Sequence, residues 1–112
     1  MEANRKELLF KFLEEPDNHS QLEAAIIRLS NEPHMEAIKL KTAHLTHALS
    51  MAIKNELTLT DLSEWADSII MNDDIEIDHE IIREILIELA NSENSPIDQP
   101  QIEYYLHKLN SI

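Results

Sequence analysis

The chain has 112 residues, of which 22 are acidic and 9 are lysine or arginine, and it contains neither cysteine nor glycine. That length suits one domain able to bury roughly two-thirds of its unfolded surface without a disulfide or metal staple. The missing cysteines exclude a disulfide framework, a thiolate zinc site and a cysteine nucleophile, which fits a reducing cytoplasm, while the missing glycines exclude G-x-G-x-x-G or Walker phosphate loops and the G-x-S-x-G elbow.

In chain order the apolar spacing predicts helices joined by short connections. Arg5 to Glu15 carries Leu8, Leu9, Phe12 and Leu13 on one side and is stopped by Pro16. From Ser20 to Asn31, Leu22, Ala25, Ile26 and Leu29 recur at helical spacing. The third and longest segment opens with Pro33 in its first turn and runs to Asn55 through Met35, Ile38, Thr42, Leu45, Leu49 and Ile53, as a central helix would. With no glycine, helix stops that need a left-handed residue fall to asparagine, and Asn55, Asn72 and Asn91 or Asn94 stand at the expected places.

Thr58 with Asp61, or Thr60 one step later, opens the fourth helix, whose inward face is Leu62, Trp65, Ala66 and Ile69. Asp78 is the expected cap of the fifth, with Ile82, Ile85, Leu86 and Leu89 inward. Asp98 and Gln101 form a candidate capping box for the last, which turns Ile102, Tyr105, Leu106 and Leu109 inward. Ile75-Glu76-Ile77 is locally strand-like, but three residues do not make a sheet. The expected architecture is therefore all-α, a compact single-domain bundle of about six helices over residues 1–112. Met1 to Leu13 has no uninterrupted apolar core of secretory length, and no stretch approaches the ~20 apolar residues of a membrane span, so the chain is expected to stay where it is made.

Charge is the most informative feature. Residues 1–55 hold eight acids and seven bases, residues 56–112 fourteen acids and two bases, so nearly all of the net −13 lies in the second half. Such a field repels nucleic acid and anionic membrane and favours a basic protein partner. Glu80, Glu84 and Glu88 stand at i, i+4 and i+8 of one helix, where like charges destabilise by roughly 0.2–0.5 kcal/mol per pair. Asp73, Asp74, Glu76 and Asp78 precede them, and Arg83 is the only base nearby. Asp78 and Glu80 are explained by the helix N-terminus, but Asp73, Asp74, Glu84 and Glu88 have no local reason. These acids form either a solvated face or a binding face.

No catalytic constellation emerges. His44 and His47 lie three apart, and Glu76 with His79 gives one E-x-x-H, whereas carboxylate di-metal bundles need that motif twice plus two further glutamates. Asp74, Glu76 and Asp78 resemble the start of a calcium loop, but the loop glycine is missing and Ile85 stands at position twelve. The histidines read as surface or capping residues, and neither metal nor cofactor is expected. Trp65 reads as core. Of the tyrosines only Tyr105 falls on the inward stripe, leaving Tyr104 as a candidate surface anchor. Ile87 is out of pattern on the polar side of its helix: either the first or the long helix covers it, or it is an apolar anchor ringed by acids.

The run Leu57-Thr58-Leu59-Thr60-Asp61-Leu62-Ser63-Glu64-Trp65-Ala66, followed by Asn72-Asp73-Asp74-Ile75-Glu76-Ile77, Ile82 to Ile87 and Glu88-Leu89-Ala90-Asn91, resembles small acidic helical immunity proteins of bacterial polymorphic-toxin and contact-dependent growth inhibition systems. It continues in Ser95-Pro96-Ile97 and covers about the C-terminal half. What the resemblance implies is a cytoplasmic, non-catalytic protein that binds and blocks one cognate toxin domain. An acidic face suits the basic cleft of a nuclease toxin, and the expected contact residues are Asp73, Asp74, Glu76, Glu80, Glu84, Ile87 and Glu88. The competing expectation is an adaptor or regulatory module that takes a peptide or helix in an apolar groove, with acidity serving solubility; a small metal-dependent enzyme is the third.

Overall fold

A computed structural model describes residues 5–28, 37–77, 79–92 and 97–112. Among them are six α-helices: α1 (Arg5–Glu14), α2 (His19–Arg28), α3 (Thr42–Ile53), α4 (Leu59–Met71), α5 (Glu80–Ala90) and α6 (Gln99–Asn110). A 3-10 turn, Pro16–Asn18, joins α1 to α2, and two short strands, β1 (Ile38–Lys39) and β2 (Ile75–Glu76), pair in parallel. None of the described helices is long and apolar enough to cross a membrane.

The core forms where the apolar stripes meet. Leu62, Trp65, Ala66 and Ile69 of α4 and Ile82, Ile85, Leu86 and Leu89 of α5 are all buried, and these two helices make the most extensive packing among the described elements. Leu9, Phe12 and Leu13 of α1, Leu45 and Leu49 of α3, and Ile102, Tyr105 and Leu109 of α6 complete it. The Trp65 ring is wholly buried, and its indole N–H donates to the Phe12 carbonyl at 2.9 Å. This satisfies the one polar atom that such a large buried ring brings with it.

Helix boundaries follow from capping chemistry. The Thr58 hydroxyl accepts the Asp61 backbone N–H at 3.0 Å, and the Asp98 carboxylate accepts that of Gln101 at 3.0 Å. At the end of α3, Asn55 takes φ of 61°; Glu56 N–H returns to the Met51 carbonyl at 2.8 Å and Asn55 N–H to Ala52 at 3.2 Å. This paired closure is a Schellman stop, with asparagine in the position glycine usually holds. Asn72 and Asn91 end their helices at negative φ, so they do not serve as left-handed stops; Asn94 lies outside the described residues. Asp78, the expected cap of α5, also lies outside them, and the N-cap is His79, whose Nδ1 accepts from Ile81 N–H at 3.2 Å.

Among the described residues of the expected third helix, only Thr42–Ile53 is helical. Its front part includes Pro33 and Met35, outside the described residues, and then β1, which pairs Ile38 with Ile75 and Lys39 with Glu76. Ile38 N–H donates to Asp74 at 2.9 Å and Leu40 N–H to Glu76 at 3.0 Å. Ile38, Leu40 and Ile75 are buried while Lys39 and Glu76 are exposed, the alternation of a half-buried strand. The strand-like Ile75-Glu76 therefore does pair, with a distant segment rather than a hairpin neighbour.

Candidate functional site

The structure divides the expected contact residues between two regions. Asp73 and Asp74 occupy the turn after α4, with Glu76 exposed on β2 beyond it. Glu80, Glu84, Ile87 and Glu88 lie on the outward side of α5.

Asp74 has a structural job. Its Oδ2 receives the Arg5 guanidinium through Nε at 3.0 Å and Nη2 at 2.9 Å, while Nη1 of the same arginine donates to the Ile26 carbonyl at 3.0 Å. Arg5 thus ties α1, α2 and the α4–β2 turn together, and the turn is further fixed by Asp74 N–H donating to Asn72 Oδ1 at 2.9 Å. Asp74, which has no local reason in the sequence, has a distant one in the fold: its partner is 69 positions away. Asp73 is exposed.

On α5, Ile87 is 43% exposed, so neither α1 nor α3 covers it. Exposed Glu84 and Glu88 flank it, and none of the described bases forms an ion pair with Glu80, Glu84 or Glu88. Arg83 instead donates to the Ile77 carbonyl at 3.2 Å. Two shallow depressions adjoin Ile87 and Glu88. One, of about 310 Å³, is walled by Glu84, Tyr104, Tyr105 and Lys108. The other, of about 410 Å³, is walled by Asn91, Ile97, Asp98 and Gln101.

Tyr104 is half exposed at 50%, with the Lys108 ammonium 5.1 Å from its ring centroid. Tyr105 is buried, and burial pushes its phenol up to about 12; Gln101 opposes the shift, whereas the adjacent Glu88 carboxylate adds to it. Tyr105 therefore remains a neutral donor at the floor of an acidic groove.

A larger depression, of about 660 Å³, lies elsewhere, between α2 and the end of α4. Glu23, Asp67, Asp73 and Asp74 line it together with Phe12, Ile26, Ile27 and Met71. Ile27 at 73% and Met71 at 75% are the most exposed large apolar side chains among the described residues. Sequence reasoning passed them over. The signal was nevertheless present, since Ile27 falls beside the stripe of Leu22 and Ile26 just as Ile87 falls beside Leu86.

The histidines are not uniformly superficial. His44 accepts the Lys41 backbone N–H at 3.0 Å and His79 caps α5, both as expected, and His47 and His107 are exposed. His19, in contrast, is buried at 3% exposure in the first turn of α2. Its Nε2 lies 3.3 Å from Asp61 Oδ1 and 3.5 Å from Glu64 Oε2.

Comparison with known proteins identifies no matching family model, curated protein or solved structure.

Proposed function

We propose that this chain is a non-catalytic immunity protein, which neutralises a cognate toxin domain by laying the acidic outer face of α5, flanked by Tyr104 of α6, into a basic cleft. The observation that carries the reading is Ile87, a large apolar side chain left 43% exposed between two glutamates that form no ion pair with any described base, and beside half-exposed Tyr104. An apolar centre with a charged rim is the composition of a protein interface, and the uncompensated acids favour a basic partner over nucleic acid or an anionic membrane. Glu80, Glu84, Ile87 and Glu88 form the contact, with Asp73 and Glu76 contributing field and Asp74 acting first in the fold. The sequence resemblance of the second half supplies the biological class and the cytoplasmic setting, and a nuclease supplies the basic cleft.

The test is binding of the purified chain to basic nuclease toxin domains, across a salt series, with nuclease activity measured in parallel. Saturable binding that weakens with salt and silences the nuclease supports the proposal; no binding, or inhibition insensitive to Glu84→Gln with Glu88→Gln, rejects it.

A second reading, an adaptor that takes a peptide or helix, draws on the depression holding Ile27 and Met71. Binding lost in Met71→Ser but intact in Ile87→Ala would favour it.

A further inference from the structure

His19, Asp61 and Glu64 form the one triad of possible metal-ligating side chains among the described residues, their donor atoms all lying within 4.8 Å of one another. We infer that they constitute a binding site for one divalent transition-metal ion, zinc in preference to magnesium or calcium, which bridges α2 to α4.

The backbone fixes the three donors in advance. Pro16–Asn18 packs against α4 and delivers His19 as the first residue of α2, where burial holds its ring. Asp61 is locked in the first turn of α4 by its backbone N–H to the Thr58 hydroxyl, and Glu64, three residues on, lies on the same helical face. Both carboxylates converge on a single nitrogen, His19 Nε2, and no lysine or arginine pairs with either among the described residues.

The spacing suits a small ion. Bonds of about 2.0–2.1 Å in tetrahedral geometry put neighbouring donors ~3.3–3.4 Å apart, and the two nitrogen-to-oxygen distances here are 3.3 and 3.5 Å. The carboxylate side chains are 41% and 54% exposed, so the remaining edge can close and a water can complete the coordination. Imidazole with two carboxylates suits zinc, whereas magnesium and calcium prefer oxygen donors alone.

One feature sets the affinity. His19 Nδ1 is buried, and none of the described residues accepts a hydrogen bond from it. Metal-bound histidines usually donate that second N–H to an acceptor, and lack of such a partner costs roughly 10–100-fold in affinity. The site should therefore bind in the micromolar range, weaker than a dedicated structural zinc site. An ion held only by the folded chain raises its melting temperature by mass action.

The experiment is calorimetric titration of the full chain with zinc chloride, paired with thermal melting and with nitrogen correlation spectra of the histidine rings. Expected are one zinc per chain at micromolar concentration, a higher melting temperature, a shift of the His19 Nε2 resonance and no competition from magnesium. Glu64→Gln removes an exposed ligand without touching the core, and should melt like the parent chain in the absence of metal while binding zinc roughly tenfold or more weaker. Absence of saturable binding at micromolar zinc, binding undiminished in Glu64→Gln, or a His19 resonance that does not move would overturn the assignment.

Discussion

The Trp65 indole N–H occupies the place of the hydrogen bond that Pro16 cannot make. In a continuing helix the Phe12 carbonyl would receive the N–H of residue 16, but proline has none. The carbonyl is filled instead from α4, 53 positions away. Helix α1 is thus terminated by one residue and completed by another.

Trp65→Phe should therefore cost more than its lost volume, because the buried Phe12 carbonyl is left unpaired, a penalty of about 1–3 kcal/mol. Pro16→Ala restores a candidate N–H donor at the vacant position. The same Trp65→Phe change should cost about 1 kcal/mol less in that background. Denaturant melts of the four proteins measure the coupling, and strict additivity would show that the carbonyl does not distinguish the two donors.

The acids of the second half should separate by role. Asp74→Asn should lower stability by about 1–2 kcal/mol by disrupting the hydrogen-bonded Arg5 pair, discounted for the partial exposure of the carboxylate. Glu84→Gln with Glu88→Gln should leave stability unchanged or raise it by a few tenths, about 0.2–0.5 kcal/mol, by relieving repulsion between positions four apart. Urea midpoints compare them directly. A stable Asp74→Asn would show that Arg5 is not a clamp.

Ile87→Ala tests the proposed interface. With the side chain 43% exposed, its loss should change the melting curve little, while partner affinity should fall by about 1–2 kcal/mol. A destabilisation of ~2–5 kcal/mol is the signature of a buried position and would contradict the exposed geometry.

His44 should give the fold a mild acid sensitivity. Burial lowers its pKa from the usual 6.5; Glu14 opposes the shift, and Lys41 and His47 reinforce it. The unfolded chain then takes up the proton first as pH falls, so this contribution to stability is full above 6.5 and is lost progressively below it. Protonation would also remove the Nδ1 acceptor used by Lys41 N–H. His44→Gln keeps a side-chain acceptor without a titration in this range, so its stability should fall less than that of the parent between about pH 7 and pH 5. Parallel pH profiles would exclude His44 as the source.

The helices and their inward faces were legible because each is written locally, in apolar spacing and in caps such as Thr58 and Asp98. Strand β1 was not, since Ile38-Lys39-Leu40-Lys41 alternates with period two while Ile38, Thr42, Leu45 and Leu49 also fit a helix. Pairing with Ile75 and Glu76, remote in sequence, decides between the two periods. The reason for Asp74 was hidden in the same way, because Arg5 gives no sign in the sequence of the residue it will meet. The break of Ile87 from the stripe was legible, but not whether another helix covered it; the same break at Ile27 pointed to the larger depression that it shares with Met71.

The β1–β2 pair also bears on the order in which the molecule assembles. Ile38 and Ile75 are 37 positions apart, with α3 and α4 between them. Closing so long a loop costs entropy that two residues per strand cannot offset alone, so the strands should meet only after the intervening helices have packed. The pair then acts as a late latch that joins the start of α3 to the end of α4. Its amides at Ile38 and Leu40 should exchange with solvent deuterium through partial openings that leave the centre of α4 protected.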